Sequence, residues 1–534
     1  MDKRSLGIMI DCSRNGVMTP EKVKEFATML AGMGYNMLQL YTEDTYEIDG
    51  EPYFGYMRGR YTQEELKDID THCISIGIEL VPCIQTLAHL ERLTRWPSYA
   101  DLFDIEDILL VDDDRVYQLI DKMFSTVSKC FTSRRVHIGM DEAHHLGLGK
   151  YMEKHGPCNR SLLMAKHLAK VTQLAEKHGL IPMMWSDMFI RLNNNGEYYG
   201  DNLIVSQETI DAVPEGVELV YWDYYSKDKS HYDSMFRTHE KFVNNPIAFA
   251  GGIWTWSGYA PNLLFSLDST EAAMRSIQEH PVNTVLFTMW GDNGNDCSKF
   301  SAMPAIFAAA EMARGNFDRA DIARKFEAHT GYTFEEFMAL ELPNLTGEAE
   351  SHRQNPGKYL LFNDPLLGIL DFTVSEELPA LYAASAQKLA ASVNGRKFDY
   401  LFDFISKLLD VLSIKCDFGI RLRKAYHAND TETLRYFIEE EIPMLISKVE
   451  NLYIVFRTMW LTENKGFGLE VQENRFGGLL LRLKSCSIRI QDLLDGKIQH
   501  IEELEAKQEV FIEGCEGKRV EFNSFAVNYT ACAH

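Results

Sequence analysis

From the N-terminus to about residue 315, short apolar runs alternate with segments whose apolar residues recur at helical spacing. Eight apolar runs predict strands at 6–10, 37–41, 79–84, 135–140, 182–185, 218–222, 248–253 and 284–289. Helical patterns lie between the runs, as at 20–33, 62–76, 114–129 and 161–178. Thr19 and Thr62 precede two of these helices as N-caps, with acids in the first turn. Eight strand–helix units predict an α/β fold, a closed (β/α)₈ barrel.

An open, doubly wound sheet is the alternative architecture for alternating strands and helices. Its dinucleotide-binding form carries Gly-x-Gly-x-x-Gly after a strand, and no predicted strand here is followed by that motif. The barrel is therefore the preferred interpretation.

Beyond the barrel, strand patterns give way to helical ones at 379–393, 400–423, 431–461 and 476–494. The chain is thus predicted to divide into a barrel, residues 1–330, and an α-helical C-terminal domain, residues 331–534. Glycines and aromatics gather at 460–468 and 475–478, which predicts a loop that reaches the barrel mouth or a partner subunit. A homodimer formed through the helical domain is one such possibility.

The charge balance restricts the class of partner. With 54 Lys and Arg against 78 Asp and Glu, the formal net charge is −24. Nucleic-acid binding requires clustered basic residues, so a nucleic acid is not expected. An anionic membrane surface is not expected either, and a neutral or weakly charged substrate fits better.

The ten cysteines are scattered without Cys-x-x-Cys or zinc-type spacing. They are read as reduced thiols, which favours the cytoplasm. The first twelve residues have no signal-peptide pattern, and no run of about 20 apolar residues predicts a transmembrane helix. A leader that has been removed would leave the same pattern.

The segment 135–143 carries the strongest chemical signal. An apolar run that contains Gly139 ends on two adjacent carboxylates, Asp141 and Glu142. Successive side chains of a strand point to opposite faces, but at a strand's carboxyl end both acids can converge on one ligand. In a barrel that end is where catalytic residues lie.

The other strand ends supply aromatic and charged groups. Five of the seven tryptophans fall at or just after the ends of predicted strands five to eight, namely Trp185, Trp222, Trp254, Trp256 and Trp290. Indole rings at a barrel mouth form stacking walls for the apolar faces of a sugar. Arg14 and Asp292 add charged groups that can hydrogen-bond to sugar hydroxyls.

The pattern His137-x-Gly139-x-Asp141-Glu142 after a hydrophobic strand resembles the signature of glycoside hydrolase family 20, the β-N-acetylhexosaminidases. The resemblance covers about residues 1–315, without the small domain that usually precedes the barrel. It implies an exo-acting, retaining enzyme that removes terminal β-linked N-acetylglucosamine or N-acetylgalactosamine and needs no cofactor. The nucleophile would be the substrate's own acetamido group, through an oxazolinium intermediate.

The resemblance also assigns roles. Glu142 would be the general acid and base, and Asp141 would orient the acetamido group. Arg14 would bind the 3- and 4-hydroxyls, and His89 would lie near the catalytic pair. Trp185, Trp222 and Trp290 would box the acetamido group. Further substrate contacts would come from Trp254, Tyr224 and the last-strand acid Asp292.

Two positions depart from the family pattern. The last-strand acid is usually glutamate, so Asp292 is one methylene shorter. A Trp-Tyr pair is normal on the seventh strand, where this chain has Trp254-Thr255-Trp256. Tyr224 or Tyr225 of the sixth strand could replace that tyrosine.

Three alternatives remain. His137, Asp141, His144 and His145 are close in sequence, but their spacing matches no metal motif, so no metal is predicted. A barrel glycosidase could use two separate carboxylates, Glu142 with Asp187 or Asp292. A non-catalytic sugar-binding protein would keep the aromatic cage without an acid.

Overall fold

Eight parallel strands close into a barrel in the computed structural model, which describes residues 4–346 and 350–521. The strands are β1 (Ser5–Asp11), β2 (Met37–Thr42), β3 (Glu79–Ile84), β4 (Arg135–His137), β5 (Ile181–Trp185), β6 (Glu218–Trp222), β7 (Ile247–Gly252) and β8 (Val282–Met289). Pairing of β1 with β8, in which Ser5 is aligned with Thr284, closes the cylinder. The predicted (β/α)₈ barrel is confirmed.

Helices surround the strands. The principal ones are Pro20–Met33, Gln63–Ser75, Asp114–Cys130, Arg160–Lys177, Lys229–His239, Leu263–Ile277 and Met303–Ala313. Shorter helices occupy the loops at Lys150–His155, Asp187–Arg191 and Gln207–Ala212. The two predicted N-caps are confirmed: Thr19 accepts from the N–H of Lys22, and Thr62 forms a capping box with Glu65.

The fourth strand is shorter than its apolar run predicts. Regular pairing ends at His137, because Gly139 and Met140 have φ angles of 71° and 73°. These left-handed conformations interrupt the strand three residues before the end of the apolar run. A Cβ at Gly139 would lie 2.0 Å from Oε1 of Gln85, so only glycine fits there.

A helical region follows the barrel, as predicted. Its helices are Arg319–Thr330, Phe334–Met338, Pro356–Phe362, Leu378–Ala390, Asp399–His427, Thr431–Tyr436, Ile442–Glu463, Leu469–Leu494 and Glu502–Glu505. The predicted domain boundary near residue 330 stays a prediction. The glycine cluster at 475–478 was wrongly predicted as loop, since it lies inside the long helix Leu469–Leu494.

The predicted loop at the end of 460–468 does reach the barrel mouth. Lys465 donates its backbone N–H to the carbonyl of Val17 at 2.8 Å. The side-chain Nδ2 of Asn15 donates to the backbone carbonyl of Gly468, also at 2.8 Å. The helical region thereby supports the β1 loop that carries Arg14.

Within the described residues, no helix combines the length and apolar character that crossing a bilayer requires.

Candidate active site

The chain turns sharply where β4 ends, and Gln85 holds this turn. Gln85 follows β3, and its Oε1 accepts from the N–H of Met140 at 3.1 Å. Its Nε2 donates to Oδ1 of Asp141 at 2.9 Å and to the hydroxyl of Tyr41 at 3.0 Å. The buried side-chain amide of Gln85 thus fixes both the backbone at Met140 and the carboxylate of Asp141.

Asp141 is an ionised acid in a buried position. Its side chain is 10% exposed, and Oδ2 lies 3.1 Å from Nε2 of His89. Burial alone would raise the pKa of Asp141, but His89 and the Gln85 hydrogen bond outweigh it and lower the pKa to about 2. Burial likewise opposes protonation of His89, and Asp141 overrides it to raise the pKa of His89 to about 9. The two form a charged pair at neutral pH.

Glu142 lies beside this pair but faces the opening. Its side chain is 42% exposed, and its Oε2 is 3.7 Å from Nε2 of His89. The φ angle of Glu142 is 50°, which lets two consecutive side chains approach one space. The site therefore holds one buried carboxylate and one solvent-accessible carboxyl group side by side.

These acids line a pocket walled by aromatic rings. The lining residues are Arg14, His89, Asp141, Glu142, Trp185, Trp222, Tyr224, Tyr225, Trp256, Trp290 and Asp292. Trp222 and Tyr224 stack at 5.3 Å between ring centroids, and Trp185 and Trp290 are 6.1 Å apart. The indole N–H groups of Trp185 and Trp222 are buried and have no acceptor among the described residues.

One predicted wall residue is not in the wall. Trp254 does not line the pocket: it lies behind Trp256, stacked on it at 4.3 Å, and its Nε1 donates to the carbonyl of Tyr224. Residues two apart in a strand point to the same face, so Trp254 and Trp256 would both face the pocket if β7 continued through them. Because β7 ends at Gly252, this alternation does not apply to the two indoles. Trp256 takes the predicted place.

Arg14 is held from two sides. Its Nη1 lies 3.2 Å from Asp11 and its Nε 3.0 Å from Glu43, while the guanidinium carbon is 4.8 Å from the ring centre of Trp290. Neither acid was singled out from the sequence, although both follow the predicted pattern of polar residues at strand ends. Asp292 lines the same side of the pocket.

The histidines that suggested a metal do not form a cluster with the acids. His137 is buried inside the barrel, where its Nδ1 accepts from the N–H of Gly139 and its ring packs on Trp185. A different trio, His89, Asp141 and Glu142, has ligand atoms within 4.8 Å of one another. A metal ion at this trio would have to displace the proton of His89, because Asp141 overrides burial and raises the pKa of His89 to about 9.

Two family models match the chain. The glycosyl hydrolase family 20 catalytic domain matches residues 6–229, and the glycoside hydrolase 20C C-terminal domain matches residues 335–521. The first span contains β1 to β6 and the Asp141-Glu142 motif, and the second contains most of the helical region.

Curated relatives match over part of their length. Hexosaminidase D of Homo sapiens is 25% identical over 218 residues, which are 38% of this chain and 42% of that protein. Hexosaminidase D of Bos taurus is 24% identical over 254 residues, 45% of this chain and 68% of that protein. The chain therefore matches less than half the length of the human relative.

Among solved structures, a β-N-acetylhexosaminidase from Bacteroides fragilis NCTC 9343 aligns with a TM-score of 0.48 and 18% identity. The alignment covers 63% of this chain and 71% of that one.

Proposed function

The chain belongs to glycoside hydrolase family 20, and we propose that it is an exo-acting β-N-acetylhexosaminidase. Its substrate would be a glycan or glycoside with a terminal, β-linked N-acetylglucosamine or N-acetylgalactosamine. The observation that carries the proposal is the pairing of a buried, ionised Asp141 with a solvent-accessible Glu142 on one indole-lined pocket.

The two acids suit different tasks. Asp141 has a pKa of about 2, so it is a permanent anion that can accept a hydrogen bond from an amide N–H and offset positive charge that develops there. Glu142 faces the opening, where a leaving group would depart and a water molecule would enter. A proton donor for the leaving oxygen belongs at this position.

The proposed reaction has two steps. In the first, the acetamido oxygen of the substrate bonds to the anomeric carbon, the bond to the leaving oxygen breaks, and Glu142 gives that oxygen its proton. Asp141 holds the amide N–H while positive charge spreads over the resulting oxazolinium. In the second step, water attacks the anomeric carbon, Glu142 takes the water's proton, and the acetamide is released with retention of configuration.

The aromatic pocket supports the first step. Trp185, Trp222 and Trp290 come from three different strands, and together they surround a space that an acetyl group can fill. Holding the acetamide in line converts its attack into a pre-oriented ring closure.

A mechanism with two separate carboxylates is less well supported. Asp187 is fully buried and does not line the pocket, so it cannot reach the anomeric carbon of a bound sugar. Asp292 lines the pocket and is the remaining partner for Glu142. A thiazoline mimic of the oxazolinium separates the two mechanisms, because only a substrate-assisted enzyme stabilises that bicyclic shape.

Hydrolysis of 4-nitrophenyl N-acetyl-β-D-glucosaminide tests the proposed activity. We expect turnover by the native protein and losses on the order of 10²- to 10⁴-fold for Glu142→Gln. Asp141→Asn should lose activity by about 10²-fold or more because the amide is no longer held by an anion. A protein that binds the glycoside without cleaving it would be a sugar-binding protein, and the proposal would be wrong.

We also propose a reducing compartment, such as the cytoplasm, as its location. Cysteines in the described residues are free thiols, and most are buried, as Cys12, Cys83 and Cys297 are. Burial raises the pKa of Cys12 to about 11, which keeps this thiol unreactive. Fractionation of cells that produce the protein tests the location, and homodimerisation stays a prediction that light scattering can test.

A further inference from the structure

The loop that follows β8 carries Asp292 to the pocket, and its backbone has an unusual conformation. Asn293, Gly294 and Asn295 have φ angles of 58°, 122° and 57°, so three consecutive residues lie in the left-handed region. Side chains other than glycine rarely adopt this region, so the surrounding structure has to hold the loop in place.

The barrel holds the beginning of this loop. The N–H of Gly291 donates to Oδ2 of Asp11 at 2.9 Å. The N–H of Asn295 donates to the carbonyl of Gly291 at 2.7 Å and closes a turn around Asp292. Asp11 also lies 3.2 Å from Nη1 of Arg14. Asp292 and Arg14 therefore share one support on the side of the barrel.

The helical region holds the end of the loop through Asp296. This carboxylate is buried between two cations: Oδ2 accepts from Nζ of Lys358 at 2.5 Å, and Oδ1 lies 3.1 Å from Nη1 of Arg475. Burial alone would raise the pKa of Asp296, but Lys358 and Arg475 outweigh it and lower the pKa. The two cations come from the separate helices Pro356–Phe362 and Leu469–Leu494.

Gln472, in the second of these helices, contacts both the acid and the left-handed turn. Its Nε2 is buried and donates to Oδ1 of Asp296 at 2.7 Å and to the carbonyl of Gly294 at 3.0 Å. A Cβ at Gly294 would lie 3.0 Å from this Nε2 and 2.5 Å from Nη1 of Arg475, so the helix packs directly on the loop backbone. Gln472 does not line the pocket.

We propose that Gln472 is a positioning residue, which holds the loop after β8 so that Asp292 meets the sugar hydroxyls remote from the anomeric carbon. The helical region would thereby take part in substrate recognition, although its glutamine does not touch the sugar. The proposal rests on the proposed hexosaminidase activity and deepens it. A side chain held in one geometry binds its ligand at a lower entropic cost than a mobile one.

The first test is Gln472→Met, which keeps a similar side-chain volume and removes both hydrogen bonds. Asp296 keeps its two cations in this variant, so no buried charge is left unpaired. We expect kcat/KM for 4-nitrophenyl N-acetyl-β-D-glucosaminide to fall about fivefold. The loss should lie mainly in KM, because the contact with the remote hydroxyls is made before and during the reaction.

A double-mutant cycle with Asp292→Asn shows whether Gln472 acts through Asp292. Once the carboxylate of Asp292 is gone, its position no longer matters. Adding Gln472→Met to Asp292→Asn should therefore change kcat/KM by less than about twofold. The melting temperature should still fall on addition of Gln472→Met, because the lost hydrogen bonds belong to the fold. A merely structural role would give the same fivefold loss of activity in both backgrounds.

Asn363→Leu is the matched control. Asn363 is also buried in the helical region, and its Nδ2 donates to Oδ1 of the buried Asp371 at 2.8 Å. We expect this variant to lose a similar melting temperature and to keep kcat/KM within about twofold. Should Gln472→Met fail to fold, Arg475→Lys, which keeps a charge beside Asp296, enters the same cycle with the same expectation.

An unchanged kcat/KM in Gln472→Met would overturn the inference and leave the proposed function intact. Equal losses in the native and Asp292→Asn backgrounds would overturn it as well. Absence of turnover by the native protein would overturn the proposed function, and the inference with it.

Discussion

The carboxylate of Asp187 accepts a hydrogen bond from the backbone N–H of Glu142, with 3.2 Å between Oδ2 and the nitrogen. The same oxygen accepts from Nε of Arg191, and Oδ1 has no donor among the described residues. Burial raises the pKa of Asp187 to about 7, and the nearby charge of Asp141 adds to the effect. Asp187 thus supports the backbone of the proposed acid from below the pocket.

This relationship makes stability depend on pH. The pKa of Asp187 is near 3.9 in the unfolded chain and about 7 in the folded protein. The folded state therefore binds the extra proton, and its stability falls as pH rises from about 4 to 7. Asp187→Asn removes this contribution to the free energy of unfolding, so relative to the native protein it should gain about 2.5 kcal/mol between pH 5 and pH 8.

Urea unfolding at both pH values measures the gain. If the difference in unfolding free energy between Asp187→Asn and the native protein is the same at pH 5 and pH 8, then Asp187 is ionised throughout.

The His89–Asp141 pair gives a second pH dependence, which for His89 has the same sign but lies at higher pH. The folded pKa of His89 is about 9, above its usual 6.5, so its contribution is complete below pH 6.5 and is lost as pH rises through 9. Asp141 has a folded pKa of about 2, so its contribution is complete above about pH 4.

His89→Gln should therefore cost the most stability between pH 4 and 6.5, about 3 kcal/mol, and much less at pH 10. Thermal unfolding across this range checks the prediction. A loss of equal size at pH 6 and pH 10 would show that His89 contributes through packing rather than charge.

Trp256 and Trp254 form a matched pair for testing the pocket wall. Trp256 lines the pocket, whereas Trp254 lies behind it and donates to the carbonyl of Tyr224 at 3.0 Å. Trp256→Phe should raise KM for the glycoside about threefold, because stacking area is lost. Trp254→Phe should keep KM within about twofold but lower the melting temperature, because a buried hydrogen bond is lost. The reverse pattern in KM would place Trp254 in the wall.

Removal of metal ions should not change the activity. His89, Asp141 and Glu142 could geometrically surround an ion, but the protonated His89 already neutralises Asp141. We expect the kcat/KM of protein dialysed against EDTA to match that of untreated protein. A loss that zinc or magnesium restores would contradict the assignment of this trio to an ion pair.

The barrel and the catalytic pair were predictable because each depends on local sequence pattern. Apolar runs bounded by helix caps such as Thr19 and Thr62 place the strands, and a strand's carboxyl end places Asp141 and Glu142. Strand ends also indicated the aromatic wall, apart from the choice between Trp254 and Trp256. That choice depends on where β7 stops, which the apolar pattern does not define.

The supporting residues were not predictable, since their partners are distant in sequence. Gln85 contacts Asp141 from 56 positions away, and Asp187 contacts Glu142 from 45. Nothing in either local sequence distinguishes these residues from other polar residues after a strand. The left-handed turn at Gly139 and Met140 could not be predicted either, because the apolar run continues through both residues.

The central claim is that the substrate's acetamide displaces the leaving group, and fluorination of its acetyl methyl tests this most directly. Each fluorine withdraws electrons from the carbonyl oxygen and weakens it as a nucleophile, with little change in size. We predict that kcat/KM falls steeply along the series N-acetyl, N-fluoroacetyl, N-difluoroacetyl and N-trifluoroacetyl glucosaminide. Equal rates across the four substrates would contradict the account and assign the attack to a carboxylate of the protein.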